Sequence, residues 1–400
     1  MTCSAPLAAN PDCNPECRAC HYKDLTYPEQ LARKQRWAET QLARWASVLA
    51  PIEPAPETER LGYRYKTWLR NSSSPDENPA DASSDLPIGL SFGLSFGMLR
   101  ARRVDSTWEK EFVSWNTCPL HAEPIREMIA RLRQALPRGA PKFTREALAG
   151  VWFGSPHLVL IAREGRQEDF DAITALDWSR ILAPPFDRAW LHMNSQIGAK
   201  IFGHRPLAQL FGPPADSSHP VRAFRQAAHT LLRRARRSAL EHLLRSSPAQ
   251  IVDLYCGTGE LSLGLPAETG WIGIEMAKEA VQFANTLRKP GPVLHQAFVG
   301  AVEQRLADPT VQALVRTPYA LYLNPPRCGL TPDARERVRL LLQSHRADTI
   351  AYLSCSASSL SRDLAMLEDS GYRVESLRPF DFFPQTEHFE TLATLSPIQA

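Results

Sequence analysis

The chain has 400 residues, 44% hydrophobic and 22% charged, a composition typical of globular proteins and long enough for two or three domains. No run approaches the roughly 20 apolar residues that a membrane-spanning helix needs. The first residues, MTCSAPLAANPDC, lack the basic start and apolar centre of a signal peptide. We therefore expect a cytoplasmic protein without a membrane partner.

Charge is balanced over the whole chain but uneven along it. The net charge of +3 does not by itself indicate a nucleic-acid-binding protein. Between Arg222 and Arg245, however, seven arginines accompany one glutamate. Such a segment either contacts phosphate groups or forms the solvated face of a helix, and both interpretations stay open.

Eight cysteines are the second compositional feature. They occur at positions 3, 13, 17, 20, 118, 256, 328 and 355. In a cytosolic chain, clustered cysteines indicate metal ligation or catalysis rather than disulfides.

The segment LTYPEQLARKQRWAETQLARW, residues 25–45, predicts the first helix. Thr26 and Glu29 have the spacing of a capping box, and Pro28 suits the first turn. The predicted apolar side consists of Tyr27, Leu31, Trp37, Leu42 and Trp45. Further along, the Ser- and Pro-rich residues 71–87 predict a mobile loop.

From about residue 220 the pattern becomes regular. Short apolar segments, mostly separated by helical ones, predict buried strands at residues 251–255, 271–275, 293–298, 319–324 and 349–355. This alternation predicts an α/β fold with a doubly wound, mostly parallel sheet. Two last strands, 372–380 and 388–395, have no obvious helix between them and predict a hairpin at one side of the sheet.

The turn after the first of these strands, DLYCGTGELS, indicates a nucleotide-type ligand. Gly257 and Gly259 lie in the turn before a predicted helix and let the backbone approach such a ligand closely. Glu275 ends the second strand, where a carboxylate accepts hydrogen bonds from ribose hydroxyl groups. Because Ser262 stands where a dinucleotide site has its third glycine, S-adenosylmethionine fits better than NAD. An ordinary tight turn is the alternative.

Two chemically useful residues end the fourth and fifth strands, where ligands of such sheets bind. Asn324 opens the loop Asn-Pro-Pro-Arg, and Cys355 is the last residue of the fifth strand, so both are expected to face the methyl donor. A carbon-directed methyltransferase needs a thiolate, because a ring carbon becomes nucleophilic only after addition at its neighbour. Cys355 is better placed for this than Cys328, although a buried strand cysteine is the alternative.

The C-terminal segment FDFFPQTEHFE completes a set of three motifs. Asn-Pro-Pro-Arg-Cys-Gly (324–329), Ser-Cys (354–355) and Asp-Phe-Phe-Pro-Gln-Thr-Glu-His-Phe-Glu (381–390) occur in this order. With these motifs the chain resembles the RNA uracil-5-methyltransferase family, and most closely the branch that modifies a uridine in 23S ribosomal RNA. Cys328 falls at a variable position of the family pattern.

The resemblance implies a class I S-adenosylmethionine-dependent methyltransferase with a Rossmann-like domain, acting as a monomer on RNA. It implies that Cys355 adds to carbon 6 of uracil, that Glu390 removes the proton from carbon 5, and that Arg327 contacts the base. The donor-binding residues that it implies are Asp253, Tyr255, Gly257, Gly259, Glu275 and Asn324. The target uridine must be unstacked, as in a loop.

The family often carries an iron–sulfur cluster, which implies a 4Fe–4S cluster here on Cys13, Cys17, Cys20 and Cys118. Cys3 is the alternative to Cys13, and zinc is the alternative to the cluster. The C-x-x-x-C-x-x-C spacing is also the signature of radical S-adenosylmethionine enzymes. Against that function, only twelve residues precede Cys13, and Ala19 replaces the usual aromatic residue.

Two positions depart from the family pattern. Gly212 stands where a donor-contacting glutamine is usual, and Val299 where an acid usually follows the third strand. An RNA-binding protein of this fold without activity is therefore a further alternative. The expected organisation is a cysteine segment with the first helix (1–48), a central α+β domain that binds RNA (49–205) and a methyltransferase domain (206–400).

Overall fold

The computed structural model describes residues 5–71, 96–104, 107–114, 117–139, 148–154, 156–162, 167–193, 207–213, 229–287 and 293–398. The chain forms two compact units. The C-terminal unit comprises Met1–Ala5, Leu25–Thr58 and Ser217–Ala400, and the central unit comprises Pro6–Asp24 and Glu59–Asp216. This differs from the expected three-part division, because the cysteine segment belongs to the central unit and the first helix to the C-terminal unit.

Helices and strands occur in both units. The α-helices of the described residues are α1 (Tyr27–Gln41), α2 (Glu123–Gly139), α3 (Gln167–Thr174), α4 (Trp178–Ile181), α5 (His229–Leu243), α6 (Lys278–Ala284), α7 (Val302–Ala307), α8 (Pro309–Gln312), α9 (Pro332–Ser344) and α10 (Ala357–Asp369). The strands of the same residues are β1 (Lys66–Asn71), β2 (Phe96–Val104), β3 (Thr107–Ser114), β4 (Leu148–Gly154), β5 (His157–Ala162), β6 (Arg188–Met193), β7 (Leu207–Phe211), β8 (Gln250–Leu254), β9 (Gly270–Glu275), β10 (His295–Val299), β11 (Tyr319–Leu323), β12 (Thr349–Ser354), β13 (Tyr372–Phe380) and β14 (Glu390–Pro397).

The central unit is built on one seven-stranded sheet of order β3-β2-β1-β4-β5-β6-β7. Its strand pairs are antiparallel except for β5 and β6, which run parallel. The α+β character expected for this part of the chain is therefore present. Its core combines side chains of β4 and β5 with the apolar side of α2, including Met128, Leu132 and Val151.

The C-terminal unit contains the predicted doubly wound sheet. Its strand order is β10-β9-β8-β11-β12-β14-β13. The first five strands in this order run parallel, whereas β14 pairs antiparallel with both β12 and β13. The α/β fold class and the terminal hairpin are thus confirmed. The central strands are buried on both faces, which explains their continuous apolar sequences.

Two local predictions differ from the structure. The capping box of Thr26 and Glu29 is present at the start of α1, but Trp37 is 53% exposed and does not belong to its buried side. The helix expected after Gly259 is a short 3-10 helix, Glu260–Gly264, because the following Leu265 is extended and Pro266 lacks a backbone donor.

Some predictions fall outside the described residues, namely Cys3, residues 72–87 and the arginines before α5. Within α5 and just beyond it, three arginines form ion pairs with glutamates of the same unit: Arg234 with Glu53, Arg236 with Glu260 and Arg245 with Glu375. None of the helices in the described part of the chain has the length and apolar character needed to span a bilayer.

Candidate active site

A cavity of about 690 Å³ opens at the carboxyl ends of the parallel strands in the C-terminal unit. Eight of the nine residues predicted for donor binding and catalysis line it: Asp253, Tyr255, Gly257, Glu275, Asn324, Arg327, Cys355 and Glu390. Because these residues come from β8, β9, β11, β12 and β14 or the loops beside them, the sheet brings distant motifs to one place.

The glycine turn after β8 shapes one wall of the cavity. Gly257 has φ +56°, and a Cβ there would meet no atom within 4 Å, so its backbone is open to a ligand. Gly259 also has a packing role. With φ +72°, a Cβ at this position would lie 2.8 Å from the Cβ of Ala284, so the glycine allows the turn to pack on α6.

Two carboxylates stand on the same wall. Glu275 accepts hydrogen bonds from the amides of Gly257 (3.2 Å) and Ala277 (2.8 Å), which fix it at the end of β9. Asp253 is fully buried, and its Oδ2 accepts a hydrogen bond from Trp271 Nε1 at 3.1 Å. Its Oδ1 has no hydrogen-bond partner among the described residues. Burial raises the pKa of Asp253 to about 7. A cation in the cavity would favour the ionised form of this carboxyl group.

The loop after β11 carries Asn324 and Arg327 and is fixed by α10. Ser359 Oγ donates to the carbonyl of Arg327 at 3.1 Å, and Arg362 donates to the carbonyl of Cys328 at 2.7 Å. The buried Asp363 accepts a hydrogen bond from the amide of Leu330 at 2.9 Å. These contacts hold the loop in place while Arg327 lines the cavity and Cys328 is exposed.

Cys355 lies between the end of β12 and the start of α10, where Ser356 caps the helix by accepting from Ser359 N. Burial and the neighbouring Glu390 carboxylate raise the pKa of the Cys355 thiol to about 11, and the Arg327 guanidinium opposes this by charge and hydrogen bonding. The resting thiol is therefore protonated at neutral pH. The three residues implied as catalytic thus influence one another electrostatically.

Glu390 is the first residue of β14 and is 2% exposed. The loop before it is anchored to α1 through Asp381, which accepts hydrogen bonds from Lys34 Nζ (2.5 Å) and Tyr27 Oη (2.8 Å). Lys34 also donates to the carbonyl of Phe383 at 3.0 Å. The loop therefore has a rigid, buried base that presents Phe383 and Glu390 to the cavity.

The structure adds lining residues that the sequence did not reveal. They include Arg236, Glu260, Met276, Glu303, Tyr322 and Phe383. Glu303 lies in the first turn of α7, four residues beyond Val299, so an acid does line the cavity after β10. An acidic residue in the first turn of the helix after β10 was the sequence signal that could have identified it. Gly212 belongs to the central unit and is not among the described residues that line the cavity.

The four predicted metal ligands lie together in the central unit. Cys13, Cys17, Cys20 and Cys118 line one small cavity. Burial raises the pKa of Cys20 to about 12 and also raises the pKa of Cys13 and Cys118; each is raised further by neighbouring cysteines. Among the described residues, no three His, Cys, Asp or Glu side chains lie at the separations of a metal site. The donor set itself, four thiols on one cavity, suits zinc or a 4Fe–4S cluster.

Two cations accompany these thiols. Lys23 is buried, lines the same cavity and donates from Nζ to the carbonyls of Pro15 and Cys17. Arg64 lowers the pKa of Cys20 and Cys118, against the effect of their burial. Positive charge at these positions favours the thiolate forms that bind metals.

Comparison with known proteins adds to this geometry. Residues 296–397 match the family model described as tRNA (Uracil-5-)-methyltransferase, and this range contains Asn324, Arg327, Cys355 and Glu390. An uncharacterized RNA methyltransferase of Oceanobacillus iheyensis is 23% identical over 99% of this chain and 85% of its own length. One of Enterococcus faecalis is 32% identical, but over only 36% of this chain and 31% of its own length.

A solved structure shares the fold. The tRNA (uracil-54, C5)-methyltransferase of Pyrococcus abyssi, in complex with S-adenosyl-L-homocysteine, has a TM-score of 0.65 to this chain, with 19% sequence identity. The similarity covers 96% of this chain and 86% of that one. The C-terminal part of the chain thus matches the tRNA (Uracil-5-)-methyltransferase family model, the relatives named above are RNA methyltransferases, and the chain has the fold of the Pyrococcus abyssi enzyme.

Proposed function

We propose that this protein transfers a methyl group from S-adenosylmethionine to carbon 5 of a uridine in RNA and so forms 5-methyluridine. The observation that supports this most is the cavity itself. Cys355, Glu390 and Arg327 line the same cavity as Asp253 and Glu275, the residues expected to bind the methyl donor. The motif resemblance favours 23S ribosomal RNA as the substrate. An unpaired uridine is the natural target, because the base must leave its stack to reach the cavity.

The reaction begins at Cys355. Once the thiol has lost its proton to solvent, the thiolate adds to carbon 6 of uracil, and the electron pair of the 5,6 double bond moves toward carbon 5 and the O4 carbonyl. Carbon 5 then takes the methyl group, and S-adenosylhomocysteine is released. Arg327 and Asn324 line the cavity where they are suited to stabilise charge on the uracil oxygen.

The reaction ends at Glu390. Its carboxylate removes the proton from carbon 5, the double bond re-forms, and the thiolate of Cys355 leaves carbon 6. Proton removal follows methyl transfer, so a variant without the base should stop at the methylated adduct. Arg327 assists both the first and the last step, because both involve the thiolate of Cys355. Its charge favours this thiolate, whereas burial and the charge of Glu390 oppose it.

The first prediction tests these roles by trapping. Cys355→Ser should give neither methylation nor a protein–RNA adduct, whereas Glu390→Gln should accumulate a methylated adduct that survives denaturing gels. RNA with 5-fluorouridine at the target should trap the wild-type protein, because fluorine does not leave as a proton does. Cys328→Ser, which alters an exposed thiol of the same loop, is the matched control and should behave as wild type. An adduct that maps to Cys328, or methylation by Cys355→Ser, would overturn the mechanism.

The second prediction concerns the pH dependence of the Cys355 thiol in the protein without substrate. Glu390→Gln removes a charge that raises its pKa, and Arg327→Gln removes one that lowers it. Alkylation of Cys355 by iodoacetamide at pH 8.5 should therefore become at least about threefold faster in the first variant and at least about threefold slower in the second, because only the thiolate reacts. Mass spectrometry of the Cys355 peptide measures both rates. Equal rates in all three proteins would exclude the proposed coupling.

We further propose that Cys13, Cys17, Cys20 and Cys118 hold a 4Fe–4S cluster. Their thiolates would be its ligands, and Lys23 and Arg64 would offset part of its negative charge. Such a cluster would supply a covalent link between the N-terminal segment and the segment before α2.

The third prediction follows from this ligand set. Protein purified without oxygen should contain about four iron and four sulfide per chain. Cys118→Ser should lose most of the iron and lower the thermal stability, because this ligand lies far along the chain from the other three. Cys328→Ser should keep the full iron content and serves as the control. A content of one zinc per chain without sulfide would contradict the cluster and identify a zinc site instead.

A further inference from the structure

A charged pair on the cavity wall has no role in the mechanism above. Arg236 of α5 and Glu260, the first residue of the 3-10 helix after the glycine turn, approach to 2.5 Å between Nη1 and Oε2. Both side chains line the cavity and keep about a third of their surface exposed, 31% and 30%. A partly exposed ion pair contributes at most about 1 kcal/mol to folding, so stability alone gives little reason for it.

The surroundings of the pair are polar as well. Arg236 lies within electrostatic range of Asp253 and Tyr322, since its charge lowers the pKa of both against the effect of burial. Asp253 Oδ1 has no hydrogen-bond partner among the described residues. The helix of Arg236 packs against β11, β12, β14 and the 3-10 helix. Because Glu260 opens that 3-10 helix, directly after the glycine turn that follows β8, the pair lies beside the end of β8.

The shape of the methyl donor indicates what this part of the wall binds. Its sulfonium carries three arms: the methyl group, the adenosyl group and the amino-acid chain. The methyl group must point to the reaction centre, and a ribose held by Glu275, which ends β9, would lie on the β9 side. The amino-acid arm is left for the middle of the site, beside β8 and α5, where the charged pair lies.

We propose that Arg236 and Glu260 bind the zwitterionic amino-acid end of the methyl donor. This inference rests on the proposed use of S-adenosylmethionine. The Arg236 guanidinium donates hydrogen bonds to the α-carboxylate, and the Glu260 carboxylate accepts them from the α-ammonium. A zwitterion suits the pair better than a phosphate of RNA does, because Glu260 would repel a second anion beside Arg236.

Two ligands that differ only at this end test the proposal. S-adenosylhomocysteine carries the amino-acid arm, whereas 5′-methylthioadenosine lacks its carboxylate and ammonium. Calorimetric titration of Arg236→Met should show binding of S-adenosylhomocysteine weakened by about 10-fold to 100-fold, the range expected for charge-assisted hydrogen bonds. Binding of 5′-methylthioadenosine should change by less than about threefold, since the arm that contacts Arg236 is absent. Glu260→Gln should show the same selective loss.

Arg234→Met is the matched control, because Arg234 lies on the same helix, pairs with Glu53 and is not among the residues lining the cavity. It should bind both ligands as wild type does. Retained binding of 5′-methylthioadenosine shows that each variant is folded. Unchanged binding of S-adenosylhomocysteine by Arg236→Met, or an equal loss for both ligands, would overturn the inference while leaving the proposed function intact. Failure of the wild-type protein to bind S-adenosylhomocysteine would instead overturn both.

Discussion

The buried ion pair between Lys34 and Asp381 is the contact on which the reaction centre most depends. Both side chains are fully buried, so an unpaired partner would leave a charge in the protein interior at a cost of about 3 to 5 kcal/mol. Tyr27 Oη also donates a hydrogen bond to Asp381 and accepts one from the amide of Ala55. Gln30 forms hydrogen bonds with both the backbone amide and the side chain of Gln385. The first helix thereby fixes the loop that presents Glu390.

The sheet divides the proposed chemistry between its two halves. The parallel strands β8 and β9 end in the glycine turn and Glu275, where the donor is proposed to bind, whereas β12 and the antiparallel β14 carry Cys355 and Glu390. The loop of Asn324 lies between them, and its contacts with α10 keep it close to Cys355. A thiol that stays protonated until substrate enters is consistent with this arrangement, because the empty cavity keeps Cys355 buried beside a carboxylate.

The sequence predicted the strands of the C-terminal unit because their apolar runs are local signals, and its three motifs led to Cys355 and Glu390. Local signals did not reveal Arg236, whose approach to the cavity depends on how α5 packs against the sheet. They also missed the contact between Lys34 and Asp381, since these residues are far apart in the chain and helical periodicity does not report a polar partner. The prediction that Trp37 is buried was wrong, because its apolar character fits the helical pattern but the core does not extend to that side of α1.

The proposed formation of 5-methyluridine by Cys355 is tested most directly in cells. Ribosomal and transfer RNA from a strain lacking the protein should be separated, digested and analysed for 5-methyluridine by mass spectrometry. The strain should lack one 5-methyluridine of its large-subunit ribosomal RNA, the wild-type gene should restore it, and the Cys355→Ser gene should not. An unchanged 5-methyluridine content in both RNA fractions, or restoration by the Cys355→Ser gene, would contradict it.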